Sequence, residues 1–144
     1  MIVTFCGHAQ FDKAGEFEPK ILKILEENIG EKSAEIYLGG YGEFDSFARD
    51  CCKKYQAKHP LIELVLVIPY LNAKFDSARY DAVIYPEIER KLPRFAISYR
   101  NQYMVEKADL VIAYIEHAWG GAFTTYQYAK RRGKKIVNLA DFRG

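Results

Sequence analysis

The sequence predicts an α/β protein, a Rossmann-like three-layer αβα sandwich in which helices cover both faces of a parallel sheet. Apolar runs of strand length alternate with segments whose apolar residues recur at helical spacing, a pattern typical of parallel α/β folds. The longest run, residues 61–68, is apolar almost throughout, as expected for a strand covered on both sides. Right-handed crossovers between five strands then favour the strand order 3-2-1-4-5.

Each predicted element follows from its local pattern. Strands are expected over residues 2–5, 34–38, 61–68, 110–115 and 135–139. Helices are expected between them over residues 17–29, 43–58, 95–107 and 121–132. The segment from residue 70 to 93 has no regular pattern, and a connection of that length usually carries function or forms an interface. Within it, residues 81–85 offer a short additional strand.

Composition limits the classes of function. A chain of 144 residues suits one domain over residues 1–144, and a net charge of +2 argues against bulk nucleic-acid or membrane binding. No apolar run spans a bilayer and the N-terminal residues lack the plan of a signal peptide, so a cytoplasmic location is expected. Cys6, Cys51 and Cys52 show no metal-ligand spacing, and we expect reduced thiols, no metal site and no cofactor.

Two glycine pairs mark the expected ligand site. The first lies in residues 39–42, Gly-Gly-Tyr-Gly, and the second is Gly120-Gly121; each follows a predicted strand and opens a predicted helix. Glycine lets the backbone approach a ligand, and the first N–H groups of a helix attract anions. In the expected topology these loops meet residues 6–8 at the point where strand order reverses. The pattern predicts a pocket for a phosphate-bearing or nucleotide-like ligand, with plain tight turns as the alternative.

Residues 100–109, Arg-Asn-Gln-Tyr-Met-Val-Glu-Lys-Ala-Asp, resemble the Lonely-Guy proteins, which free cytokinin-type bases from nucleoside monophosphates. The family pattern has an arginine, a methionine four residues later and an aspartate just before the fourth strand. Arg100, Met104 and Asp109 occupy those positions. The resemblance implies a nucleotide ligand near this helix.

The glycine pair of the last helix resembles the same family in part. The family shows Gly-Gly-x-Gly-Thr-x-x-Glu, and Gly120, Gly121 and Thr124 match it. Phe123 stands in place of a glycine, and Gln127 stands in place of the catalytic glutamate. An amide can hydrogen-bond a ribose, but it cannot act as a nucleophile or base.

Nearly the whole chain resembles the wider SLOG superfamily, which joins Lonely-Guy enzymes to relatives of the DNA-processing protein DprA and to sensors of nucleotide-derived ligands. The motifs that carry this resemblance are residues 4–8, 39–42, 85–86, 100–101 and 119–121. It implies a single SLOG-like nucleotide-binding domain and a homodimer or larger homo-oligomer. It also keeps a DprA-like DNA-associated module open, although the balanced charge makes nucleic acid the less favoured partner.

The leading hypothesis is binding of a nucleotide-like small molecule, and the first alternative is an enzyme that acts on an N-glycosidic bond. Such a bond breaks through an oxocarbenium-like state that needs a nearby carboxylate. Glu43, Asp45 and Glu116 are the catalytic candidates because they lie on the expected pocket loops, although Asp45 equally suits a helix cap. The last helix also resembles nucleoside deoxyribosyltransferases, a likeness that puts Thr125 at their nucleophile.

Other polar and aromatic residues each have two interpretations. Arg100 suits bidentate pairing with phosphate or a surface salt bridge. His8 and His117 follow strands and suit ligand contact or a satisfied loop, and Trp119 suits stacking on a base or packing under its loop. The predicted ligand-binding residues are Cys6, Gly7, His8, Gly39, Gly40, Tyr41, Gly42, Asp45, Arg100, Asn101, Glu116, Trp119, Gly120, Gly121 and Thr124.

An interface between subunits is expected beside this pocket. The segment from residue 70 to 93 holds Tyr70, Phe75, Tyr80 and Tyr85, more aromatic surface than a loop usually exposes to water. Tyrosine-rich surface is typical of interface centres. We therefore expect a symmetric homodimer that buries this segment.

Overall fold

Six parallel strands and four helices alternate along the chain in the computed structural model, which describes residues 1–87 and 92–142. The strands are β1 (Ile2–Gly7), β2 (Ala34–Leu38), β3 (Ile62–Val67), β4 (Ala82–Ile84), β5 (Leu110–Tyr114) and β6 (Lys135–Asn138). The helices are α1 (Ala14–Asn28), α2 (Glu43–Lys58), α3 (Ala96–Lys107) and α4 (Gly121–Arg131). Two short 3-10 helices, Ser77–Arg79 and Pro93–Phe95, lie between β3 and α3.

The strand order is β4-β3-β2-β1-β5-β6, and every pairing is parallel. The order expected for the five longer strands is confirmed, but the sheet has six strands rather than five. The additional strand, β4, pairs with the outer side of β3 from Val65↔Ala82 to Val67↔Ile84. Only three residues long, it carries too short a pattern to be assigned firmly from sequence.

Both faces of the sheet are covered, which confirms the three-layer arrangement. Along β5, Leu110, Ile112 and Tyr114 pack in the cluster that contains the buried side chains of α1 and α2. The alternating Val111 and Ala113 pack instead with residues of α3 and α4. Because successive side chains of a strand point to opposite faces, a strand buried on both faces is apolar throughout.

The order of the strands places a crevice at one end of the sheet. β1 pairs with β2 on one side and with β5 on the other. The strands β2 to β4 therefore lie on one side of β1, and β5 and β6 lie on the other. The loops that follow β1 and β5 diverge to opposite faces there. In open parallel sheets this switch point, at the carboxyl ends of the strands, is where ligands bind.

The irregular segment after β3 lies at the outer edge of the sheet. Its described part exposes the apolar side chains of Tyr70, Leu71, Phe75 and Val83. Residues 88–91, which belong to the expected interface, lie outside the described residues. Burial of this segment between two subunits stays a prediction. Over the described ranges, no helix combines the length and the apolar character that crossing a membrane requires.

Candidate functional site

A cleft of about 450 Å³ opens at the carboxyl edge of the sheet, where the loops after β1 and β5 separate. The first residues of α4 and one face of α3 complete its walls. Such a volume is sufficient for a nucleotide-sized ligand. Ten of the predicted ligand-binding residues line it: Cys6, Gly7, His8, Tyr41, Asp45, Arg100, Asn101, Trp119, Gly120 and Gly121.

The loop after β2 faces the cleft only through Tyr41. Gly39 and Gly40 line a separate, smaller cavity, and Gly42 lines neither. A Cβ on Gly42 would lie 2.9 Å from the Cα of Ala9, and its φ of +92° favours glycine. The turn and close packing therefore account for Gly42, whereas phosphate binding by this loop stays a prediction.

Three further predicted residues turn away from the cleft. Glu43 accepts a hydrogen bond from the backbone N–H of Phe11 at 3.1 Å. Glu116 approaches Lys13 at 3.6 Å, and Thr124 donates its hydroxyl to the carbonyl of Gly120 at 3.1 Å. None of the three lines the cleft, so Asp45 is the one catalytic candidate of the three proposed carboxylates that does.

The N terminus of α4 is open towards the cleft. Gly120 precedes the helix with a φ of +93° and provides no side-chain cap. A Cβ at Gly120 or Gly121 would meet no atom within 4 Å. Across the described ranges, the backbone N–H groups of Gly121, Ala122 and Phe123 have no hydrogen-bond acceptor. Three unpaired donors at the positive end of a helix are the chemistry that attracts an anion.

The N terminus of α2 is different because the protein itself provides one acceptor and two negative charges there. The N–H of Glu43 donates to the carbonyl of Ala9 at 2.7 Å, and the first turn carries the two carboxylates of Glu43 and Asp45. These negative charges complement the helix dipole themselves. Of the two glycine-led helix starts, α4, whose first turn has no acidic residue, is therefore the more favourable for an external anion.

A stack of three rings forms the wall beside α4. The rings of His8 and His117 lie 3.7 Å apart at 13°, and those of His117 and Trp119 lie 3.7 Å apart at 18°. Trp119 is 67% exposed although one face is covered by His117. The other face is thus accessible to a planar ring, which favours the stacking interpretation of this residue.

His8 is held in one protonation state by its surroundings. Its Nε2 accepts a hydrogen bond from the backbone N–H of Glu116 at 2.9 Å, which requires an unprotonated Nε2. Burial, and then the neighbouring His117, lower the pKa of His8, while Glu116 opposes that shift. His8 therefore acts as a fixed, neutral connector between the loops after β1 and β5.

Arg100 is buried, which excludes the surface salt bridge, whereas its pairing with a phosphate stays a prediction. Only 3% of it is exposed, and its Nη1 donates to the carbonyl of Gly39 at 2.8 Å and to that of Val67 at 3.0 Å. Its Nε donates to the amide oxygen of Asn101 at 2.8 Å. Arg100 thus joins the carboxyl ends of β2 and β3 and lines the cleft.

Asp45 is partly buried and lines the cleft. Its Oδ2 accepts the backbone N–H of Tyr41 at 3.1 Å. Burial raises the pKa of Asp45 to about 6, although the Tyr41 N–H and the charge of Arg100 both oppose the rise. A carboxyl group that titrates near neutral pH can exchange a proton with a ligand.

We expect Asp45→Asn to stabilise the protein above pH 6. Because the folded-state pKa lies above the ordinary value of 3.8, the stabilising contribution of Asp45 is present at low pH and is lost as pH rises through 6. Asparagine keeps an acceptor for Tyr41 without the charge. Urea unfolding should show a gain of about 1–3 kcal/mol at pH 7.5 that shrinks towards pH 4. The control is Asp50→Asn, which changes an exposed carboxylate on the same helix. An equal gain at both pH values for Asp45→Asn would contradict the raised pKa of Asp45.

The thiol in the cleft is unreactive. Burial is the main cause that raises the pKa of Cys6 to about 12, so it is protonated at neutral pH and cannot serve as a nucleophile. Cys51 and Cys52 belong to α2 and are buried in the core. Within residues 1–87 and 92–142 no three His, Cys, Asp or Glu side chains form a group that could hold a metal ion.

Several residues of the cleft were not identified as ligand contacts from the sequence. Ile97 is 40% exposed on α3, and Gln10 follows the loop after β1; both line the cleft. Ile97 could have been identified as an apolar residue on the predicted helix beside these loops. Thr125 lines the cleft and donates to the carbonyl of Gly121 at 3.0 Å, whereas Gln127 does not line it.

The fold is that of a Rossmann-like α/β protein, and its cleft lies at the topological switch point. Neither a protein-family model nor a curated protein sequence matches the chain. The structural-genomics target TM1055 has a similar fold, with a TM-score of 0.64 and 13% identity over 99% of this chain and 76% of that one. DNA processing protein A from Helicobacter pylori, described for its single-stranded DNA binding mode, is similar with a TM-score of 0.67 and 15% identity. That likeness covers 98% of this chain and 66% of the other, and at these identities both comparisons establish the fold alone.

Proposed function

We propose that the cleft binds a nucleotide or a nucleotide-derived ligand, with a phosphate at the N terminus of α4 and the base beside Trp119. The observation that carries the proposal is the open helix start at Gly120 and Gly121, whose unpaired N–H groups face a cleft of nucleotide size. In this proposal residues 1–144 act as one nucleotide-binding domain of the SLOG type.

The other contacts fit the remaining parts of such a ligand. The free face of Trp119 matches the flat surface of a base, since aromatic stacking is worth about 1–3 kcal/mol per base. Asp45 and Asn101 provide oxygen and amide groups in the cleft that can hydrogen-bond ribose hydroxyls. Arg100 adds positive charge below the site without leaving its backbone partners.

Gly121→Val is expected to weaken the binding of AMP at least about tenfold. Its side chain would enter open space at the helix start, where the phosphate is proposed to lie, and would block approach to the N–H groups. Trp119 is the single tryptophan of the chain, so quenching of its fluorescence by AMP reports binding directly.

The matched control is Gly15→Val, which places the same side chain in open space near the start of α1, outside the cleft. Both variants should melt close to the wild type, and only Gly121→Val should lose affinity. If folded Gly121→Val and the wild type bind AMP with equal affinity, Gly120-Gly121 is only a tight turn and does not hold the phosphate. Gly40→Val is not informative, because φ is +69° and the new Cβ would lie 2.8 Å from Leu66.

The alternative of an enzyme acting on an N-glycosidic bond is favoured by one observation, the elevated pKa of Asp45 inside the cleft. Neither Thr125 nor Gln127 can replace the missing acid. Chromatography of AMP incubated with the wild type separates the two functions. Release of adenine that disappears in Asp45→Asn would establish the enzyme, and intact AMP supports binding alone.

A DNA-associated module is the second alternative, and it gains weight from the fold neighbour described for single-stranded DNA binding. The expectation that nucleic acid is a disfavoured partner is therefore weakened. An exposed aromatic ring such as Trp119 suits an unstacked base. Fluorescence anisotropy with single-stranded DNA, repeated at several salt concentrations, tests this function, since phosphate contacts make affinity fall with salt.

A further inference from the structure

A second cavity of about 310 Å³ lies beside the cleft. It sits at the carboxyl ends of β2 and β3, under the segment that follows β3. Tyr41, Ile97 and Arg100 line both spaces, so the second cavity begins where the cleft ends. Its size is at the lower end of the range for small-molecule sites and suits one further nucleoside-sized group.

The second cavity is rich in positive charge. Arg49, Lys74, Arg79 and Arg100 line it, against the single carboxylate of Asp76. Arg79 approaches Asp76 at 3.2 Å, whereas Lys74 is exposed and forms no ion pair with a described residue. An excess of cations around a concave space attracts anionic ligands.

Arg49 gives this charge a fixed position. Its side chain is 13% exposed and reaches the cavity from the middle of α2. The carboxylate of Asp50, at 3.1 Å, does not line the cavity, and the hydroxyl of Tyr80 lies beside the guanidinium. An arginine that is held in place this way offers planar N–H groups suited to phosphate oxygens.

Flat rings accompany the cations. Tyr70, Phe75 and Tyr80 line the second cavity, and Tyr70 and Phe75 are partly open to solvent. Leu66 and Ile68 add an apolar base. Cations beside aromatic and aliphatic surface match the chemistry of a nucleotide, which joins anionic phosphate to a planar ring.

We propose that the second cavity binds the second half of a dinucleotide, a ligand in which two nucleoside units are joined through phosphates. One half occupies the cleft, which rests on the function proposed above for that site. The phosphate of the first half lies at the N terminus of α4, the next phosphate lies at the shared boundary formed by Tyr41 and Arg100, and the second base lies among the rings of the second cavity. A mononucleotide fills only the cleft and leaves the cations of the second cavity without an anion.

The test compares AMP with diadenosine pyrophosphate, using Trp119 fluorescence and calorimetry on the full chain. Lys74→Gln combined with Arg79→Gln removes two exposed charges of the second cavity and neither belongs to the cleft. We expect this double variant to bind the dinucleotide about tenfold more weakly and AMP within about twofold of the wild type. Lys20→Gln combined with Lys23→Gln, two exposed lysines of α1, is the matched control and should change neither affinity.

The outcomes separate this inference from the proposed function. AMP binding with no preference for the dinucleotide, or a dinucleotide affinity that the double variant leaves unchanged, overturns the second cavity as a nucleotide site while the cleft stands. Failure of the wild type to bind either molecule overturns both. Tighter binding of the dinucleotide that is lost in the double variant, with its melting temperature and AMP affinity preserved, supports the inference.

Discussion

Arg100→Met is expected to lower the free energy of unfolding by about 3–5 kcal/mol, the usual cost of removing one partner from a buried charged network. The guanidinium satisfies the carbonyls of Gly39 and Val67, and both would be left without these donors. The carboxylate of Asp45 would also lose the positive charge that opposes its desolvation. Urea unfolding at pH 7.5 measures the loss.

A double-mutant cycle measures how much of this loss of stability comes from the interaction between Arg100 and Asp45. In Asp45→Asn the carboxylate is absent, so Arg100→Met should cost less in that background than in the wild type. Arg100→Lys, which keeps the charge but not the forked donor geometry, should restore only part of the stability. A cost below about 1 kcal/mol for Arg100→Met would show that the two carbonyls find other partners.

Gly7→Ala is expected to destabilise the protein by about 3 kcal/mol, a large effect for one added methyl group. The new Cβ would lie 2.2 Å from Cδ2 and 2.5 Å from Cγ of Phe44, whose side chain is fully buried. Phe44 cannot move aside easily, since its ring packs near those of Phe5 and Tyr114. Thermal unfolding followed by circular dichroism measures the effect.

The control for this substitution is Gly15→Ala, where the new Cβ meets no atom within 4 Å. A smaller side chain at position 44 tests whether the contact with Phe44 causes the loss of stability. Phe44→Leu should cost less stability in the Gly7→Ala background than in the wild type. If the two changes are simply additive, the contact with Phe44 is not the source of the loss. The result matters for the cleft, since Gly7 lines it and sets how closely α2 packs under its floor.

The fold was predictable because its dominant signals are local. The run at residues 61–68 is apolar on both faces since β3 is covered by helices on both sides, and Gly30 follows α1 with a φ of +58°, which favours glycine. The strand β4 was the weaker case. It is anchored by long-range bonds, such as that from the Leu64 N–H to the Asp81 carboxylate at 2.8 Å, which no local pattern reveals.

The position of the cleft was predictable from topology, but the direction of its side chains was not. The glycine pair of residues 120–121 lines the cleft, whereas Gly39 and Gly40 line the second cavity. Two Gly-Gly pairs look alike in sequence, and the acidic first turn of α2 was the available signal that they differ. The burial of Arg100 depends on carbonyls 33 and 61 residues away, so local sequence could not distinguish it from a surface arginine.

Residues 69–87, which follow β3, lie on the outside of the fold. None of the described residues from 69 to 87 is fully buried, and β4 pairs only with the outer edge of β3. The five-stranded core would be complete without it. Amino-acid changes in this segment can therefore reshape the second cavity at little cost in folding free energy. Evolution, or a protein engineer, can alter the shape and charge of the second cavity here while the scaffold and the cleft remain as they are.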